Sequence, residues 1–237
     1  PAPIYYRNVI GTKAQKFEQF PEIHLTGDGW QEAPTAWEAP FTPVSGAEWT
    51  SFPSVRDIYP WYSSGIATHR TWVHSPSPTT LQYRLNTVVA ETDQAKKSDL
   101  FRDNRDTGIT RPKAPLPARV DAYGNFDTYQ NTKVPFAEET FIPDAKLVRF
   151  GFRSFDRQWV IADSRLIHDS RRNLWRGRIP GQVYITEQHS VHPKNGPGLY
   201  FSGLIPDMNA FNNRGGRTLP ELLPDGRPNL PPGLLAV

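Results

Sequence analysis

The chain has 237 residues, 37% of them hydrophobic and 22% charged, with a formal net charge of +3 and no cysteine. This suffices for one large or two small globular domains and excludes a wholly disordered or fibrous chain. No apolar run approaches the roughly 18–20 residues of a membrane helix, no basic-then-apolar segment opens the chain, and disulfide and thiolate chemistry are excluded, so a cytoplasmic location is expected.

The first segment, IYYRNVIGTKAQKFEQF, reads as a short strand and then a helix. Thr12 stands in capping position with Gln15 three residues on, and Ala14, Phe17 and Phe20 line one side. From Pro21 to about Pro60, Trp30, Trp37 and Trp49 are spread among Pro34, Pro40, Pro43 and Pro53. That pattern predicts packed irregular structure. A helix follows, capped by Ser77 and opened by Pro78, with Leu81, Leu85, Val88 and Val89 as its apolar stripe. A second helix is expected over 93–102, buried through Ala95, Leu100 and Phe101. Residues 107–117, TGITRPKAPLP, read as a boundary or exposed loop.

From Lys146 the pattern turns to β. Over 147–153, Val148, Phe150 and Phe152 alternate with Leu147, Arg149, Gly151 and Arg153. Phe155 and Trp159 are expected to continue the packing of Phe150 and Phe152. Further strands are predicted at 159–162, 182–186 and 199–205, with a short helix in RRNLWRGR capped by Asp169 or Ser170. The tail LPELLPDGRPNLPPGLLAV is too rich in proline for a helix or inner strand. The expected fold class is α+β: a helical, aromatic- and Pro-rich first half and an antiparallel β-rich second half.

Catalytic signatures are scarce. There is no phosphate-binding glycine loop and no nucleophile elbow. Glu187, His189 and His192 imitate a metal site, but their spacing falls in a loop. Asp144-Ala145-Lys146 resembles half of a magnesium nuclease motif and leaves a metal-dependent nuclease as one alternative. The Trp- and Pro-rich segment leaves a protein-interaction module as another. Glu138 and Glu139 are read as solvated.

Positive charge is concentrated. Arginine outnumbers lysine 19 to 8, and residues 149–178 hold Arg149, Arg153, Arg157, Arg165, Arg171, Arg172, Arg176 and Arg178 against Asp156, Asp163 and Asp169. Some of these pair locally, Arg153 with Asp156 first, but the excess of bases forbids full pairing within the stretch. The 171–178 arginines are expected at the surface. Guanidinium groups fit phosphates and guanine edges, so the leading partner is nucleic acid. Gln182, Lys194, Asn195, Arg214 and Arg217, with Asn212 and Asn213, supply further residues of the required types.

The run FGFRSFDRQWVIADSRLI resembles the Y-R-P-F-D-x-R-W-x-Y-x-D signature in the C-terminal target-recognition domain of Type ISP single-chain restriction–modification enzymes. YYRNVIGTKAQKFEQF, FPSVRDIYPWYSSGIATHRTWV, SDLFRDNRD and GLYFSGLIPDMNAF are similar to further segments of that domain, in the same order. Ser154 stands where proline is common, and no methyltransferase, nuclease or helicase motif is present. The resemblance implies a non-catalytic specificity domain at 23–237, helical to about 110 and β-rich from about 111. Residues 1–22 would join it to a preceding methyltransferase domain. It implies double-stranded DNA as partner, no cofactor in this chain, and S-adenosylmethionine, ATP and magnesium for the parent enzyme.

Overall fold

The computed structural model describes residues 3–33, 53, 55–104, 107–153, 155–188, 198–211 and 216–231. Residues 1–54 and 55–237 form separate units. In the first, β1 (Tyr5–Tyr6) pairs antiparallel with β2 (Gln31–Glu32). Between them in sequence runs α1 (Lys13–Gln19), capped as predicted: the Thr12 hydroxyl accepts from Gln15 N–H, and the Gln15 side chain accepts from Thr12 N–H at 2.8 Å. Phe17 and Phe20 meet edge to face at 5.5 Å, yet both stay exposed, and no residue of α1 is buried. Trp37, Trp49, Pro34, Pro40 and Pro43 lie outside the described residues.

The second unit opens with α2 (Val55–Ile58) and two short strands, β3 (Ser63–Ser64) and β4 (His74–Ser75). α3 (Pro78–Ala90) starts at the Ser77 cap and buries Leu81, Leu85, Val88 and Val89, the predicted stripe. α4 (Gln94–Phe101) has nearly the predicted span but a different face. Ala95 and Leu100 are exposed, and Lys97 is buried beside Phe101. The Lys97 ammonium donates to the carbonyls of Val89, Ala137 and Glu139, so its charge end is solvated by backbone. Residues 107–117 are exposed at Thr110, Arg111, Pro112 and Ala114, but Thr107, Ile109 and Leu116 are buried and tie the loop to the core.

β5 (Leu147–Arg153) and β6 (Asp156–Ile161) form a hairpin, and β4 adds to the other edge of β6. α5 (Arg172–Arg176) follows, then β7 (Tyr184–Gln188), β8 (Leu199–Ser202) and β9 (Gly216–Pro220). These last three and β3 make an antiparallel sheet in the order β3-β9-β7-β8. The fold is therefore mixed α+β. β9, which the sequence pattern does not predict, is an inner strand that overlaps the proline-rich tail only at Leu219 and Pro220. The described remainder of the tail, 221–231, holds turns and one isolated bridge, in line with its prolines.

Side-chain alternation on the β5–β6 hairpin divides the core. Leu147, Trp159 and Ile161 pack toward α3, α4 and Phe136, whereas Val148, Phe150, Phe152 and Val160 pack with Leu174, Trp175 and Tyr184. The segment after β8 ties the hairpin to residue 66. Gly151 N–H donates to Ile205 O, Asp207 N–H to Gly151 O, Ile66 N–H to Pro206 O and Met208 N–H to Ile66 O, all within 2.7–2.9 Å. Only glycine fits at 65, since a Cβ there would lie 2.5 Å from backbone atoms of Pro206 and Asp207.

Candidate nucleic-acid interface

The hairpin sets the arginine geometry. Arg149 pairs in register with Trp159 and lays its guanidinium over that ring at 4.9 Å. Gly151 pairs with Arg157, and the register then shifts, so strict alternation ends before Arg153. Arg153 sits opposite Asp156 in the ladder but makes no ion pair with it. Its guanidinium reaches Asp207 at 3.0 Å and covers the Phe152 ring at 4.1 Å. Asp207 in turn accepts from Asn209 N–H at 2.8 Å. Burial pushes the Asp207 carboxyl above its ordinary range, against the opposing pull of the Asn209 N–H and Arg153.

Arg149, Arg153 and Arg157 line one groove of about 580 Å³ between the hairpin and β8, together with Gly151, Phe155, Tyr200 and Phe201. Among the described residues Asp156 is its only carboxylate, and it accepts from the Gln158 amide at 2.8 Å. Arg149 and Arg157 are exposed and, among the described residues, have no carboxylate partner. Phe155 does not continue the packing: it is 92% exposed, and Phe201 is 63% exposed. Phe201 was legible only through the alternation of β8, which buries Tyr200 and exposes Leu199 and Phe201. Asp207, lying 54 residues from Arg153, gave no local signal.

The other predicted residues are placed differently. Arg171 takes a left-handed backbone (φ 47°) as the N-cap of α5, in place of Asp169 or Ser170, and pairs with Asp169 at 2.6 Å. Arg172 donates to the Pro115 carbonyl, and Arg176 is exposed. Arg171 and Arg172 line a shallower hollow with Trp61, Tyr62 and Asn173. Arg178, expected at the surface, is buried: it donates to Asp127 at 2.6 Å and lies over Trp175 at 4.7 Å. Gln182 is also interior, its amide bonded to the carbonyls of Gly177 and Leu222 and its oxygen to Leu222 N–H. Arg217 pairs with Glu187 at 3.2 Å and covers Tyr62 at 4.8 Å. Lys194, Asn195, Asn212, Asn213 and Arg214 lie outside the described residues, as do His189 and His192.

Several motif residues are scaffold. Arg70 is buried, and its guanidinium donates to the carbonyls of Phe101, Arg102, Leu166 and Thr107. Burial lowers its pKa to about 10, with Asp103 opposing. Trp72 donates to Phe101 O at 3.0 Å. Arg165 is fully buried between Asp163 and Glu139, each at 2.7 Å, so Glu139 is not a solvated acid. Burial opposes the Arg165 charge, but the two carboxylates outweigh it and hold the guanidinium protonated. Asp144 is exposed, and among the described residues no three His, Cys, Asp or Glu side chains gather to hold a metal. No helix of the described residues is long and apolar enough to cross a membrane.

Residues 57–235 match the family model described as the Type ISP C-terminal specificity domain. Among curated proteins none matches the chain. Of solved structures, a nuclease-deletion mutant of the Type ISP restriction–modification enzyme LlaGI, in complex with a DNA substrate mimic, is similar over 93% of this chain and 18% of its own, at 14% identity and a TM-score of 0.51. The DrdV–DNA complex is similar over 92% of this chain and 22% of its own, at 15% identity and 0.47. The ATP-dependent Type ISP enzyme LlaBIII bound to DNA is similar over 93% and 14%, at 12% identity and 0.46. At these identities the likeness is one of fold, and the chain spans about a fifth of the LlaGI chain.

Proposed function

Because the chain belongs to the Type ISP C-terminal specificity domains, we propose that it recognises a sequence in double-stranded DNA through the groove between the β5–β6 hairpin and β8. One observation carries the choice of face: three guanidinium groups, Arg149, Arg153 and Arg157, line a groove in which Asp156 is the one carboxylate among the described lining residues, with Asp207 holding Arg153 from outside it. Such a surface gains affinity by displacing counterions from phosphates, and a guanidinium aimed into the major groove adds bidentate contacts to guanine. Arg171, Arg172 and Arg176 form a second, weaker basic area that would meet the backbone farther along the duplex. The LlaGI structure, of the same fold, holds a DNA substrate mimic, which supports the same class of partner here.

In this reading the chain supplies recognition and no chemistry. Adenine methylation and cleavage would belong to other domains of a longer parent enzyme, which would hold S-adenosylmethionine, ATP and magnesium. Residues 1–22 would lead into the methyltransferase domain, which flips the adenine that the specificity domain presents. The test is selection of bound fragments from a random duplex pool at moderate and high salt. One enriched asymmetric motif that survives high salt is expected. Salt-sensitive retention without a motif would reduce the domain to a polyanion binder, and no retention at low salt would reject the groove as a DNA surface.

A further inference from the structure

The tip of the β5–β6 hairpin carries a side chain that the fold does not use. Phe155 lies in the connection between Arg153 and Asp156, which pair in register, and is 92% exposed. Turns of this kind favour small or polar residues, and a phenyl ring left in water forgoes its hydrophobic gain. Phe150 and Phe152, a few residues away on the same hairpin, contact each other and His74, whereas among the described residues no ring packs on Phe155. Exposure alone is not distinctive, since Tyr123 and Phe141 are also exposed at 90% and 75%. Phe155 and Phe201 both line the groove that holds Arg149, Arg153 and Arg157; Phe155 is the more exposed of the two and the one carried at the hairpin tip.

We infer that Phe155 is a stacking residue that enters the base stack of the bound duplex while the three arginines seat the flanking phosphates. The inference rests on the DNA reading above and deepens it. An apolar ring surrounded by cations matches the chemistry of nucleic acid, which offers flat base faces behind a row of anions. A protein partner would have to match the cations with carboxylates and the ring with an apolar pocket. The ring is also held by a stiff support. The hairpin is paired from Leu147↔Ile161 to Arg153↔Asp156, and Arg153, beside the tip, is anchored to Asp207. A wedge on such a support deforms the duplex rather than being pushed aside.

The test uses the 237-residue chain with Phe155→Ala and Phe155→Trp, and a duplex isolated by the wild type from the random pool. The fluorescent base aminopurine is placed at each position of that duplex in turn. Wild type and Phe155→Trp should brighten the probe at one base step, reporting local unstacking. Phe155→Ala should lose that signal and bind about ten-fold more weakly. Its salt slope should be unchanged, because no phosphate contact is removed. Thermal melts of all three should coincide, since the ring has no packing to lose. If Phe155→Ala keeps both the signal and the affinity, the stacking role is overturned while the arginine groove stands. If wild type retains no duplex at all, the DNA reading fails and takes the inference with it.

Discussion

Replacing Arg149 and Arg157 together by glutamine isolates the charge of the groove. Both are exposed, and neither has a carboxylate partner among the described residues; Arg149 donates to the Arg157 carbonyl at 3.4 Å and lies over the Trp159 ring at 4.9 Å. The exchange therefore strands no buried charge, and stability should stay within about 0.5 kcal/mol of wild type. Each lost phosphate contact flattens the dependence of log affinity on log salt by about 0.9, so two give about 1.8. Wild type and variant should then converge by about ten-fold between ~50 and ~200 mM salt. Fluorescence anisotropy with a labelled duplex across that range reads the slopes, and a thermal melt controls for folding. Parallel slopes would refute phosphate contact by these two residues. Arg153→Gln is the contrasting case. It removes the partner of Asp207, whose side chain is only 7% exposed, and so should lower the melting temperature as well as the affinity.

Arg178→Met should destabilise the fold by about 2 kcal/mol, less than a fully buried pair because Asp127 is 31% exposed, and should leave the salt slope alone. A urea melt reads the first and anisotropy the second; an unchanged melt with a flattened slope would return Arg178 to the binding surface. Gly65→Ala drives a Cβ to 2.5 Å from the backbone of Pro206 and Asp207, which cannot yield as a flexible side chain would. A loss of about 1–3 kcal/mol is expected. Weaker DNA binding should accompany it, since Asp207 anchors Arg153. Burial lowers the His74 pKa, with the Gln158 hydrogen bond opposing. The folded state thus prefers neutral imidazole, and the unfolded state binds the proton first as pH falls below about 6.5. Stability should be fully present above that pH and decline as pH drops through the folded value. Urea midpoints across that range should fall less in His74→Gln than in wild type, and equal slopes would refute the assignment.

The elements read correctly from sequence are those whose signals are local. α3 has its cap, its Pro78 and a four-residue stripe within thirteen residues, and all of these act on neighbours in the chain. α4 shows the limit. Its span follows from Asp93, which caps Ala95 and Lys96, but Lys97 faces inward because carbonyls at 89, 137 and 139 receive its ammonium. Two of those acceptors lie some forty residues away, and nothing in the helical pattern announces them. β3 and β4, two residues each, exist only because β9 and β6 offer edges to pair with.

The arginine stretch obeys the same distinction. Counting acids within 149–178 leaves a surplus of bases, yet Arg165, Arg178 and Arg153 are matched by Glu139, Asp127 and Asp207, all outside it. Those long-range pairs make the buried Arg165 and Arg178 parts of the scaffold and fix the half-exposed Arg153 at the groove, and Arg171 is held by Asp169. Four remain without a carboxylate among the described residues: Arg172, which donates to the Pro115 carbonyl, the exposed Arg176, and Arg149 and Arg157, which the strand period that buries Phe150 and Val160 carries to one groove. In FRSFDR, then, scaffold and site are not alternatives. The core aromatics fix the hairpin, the Asp207 contact fixes Arg153 at its end, and the same frame holds Arg149, Arg157 and Phe155 at the groove proposed to meet DNA.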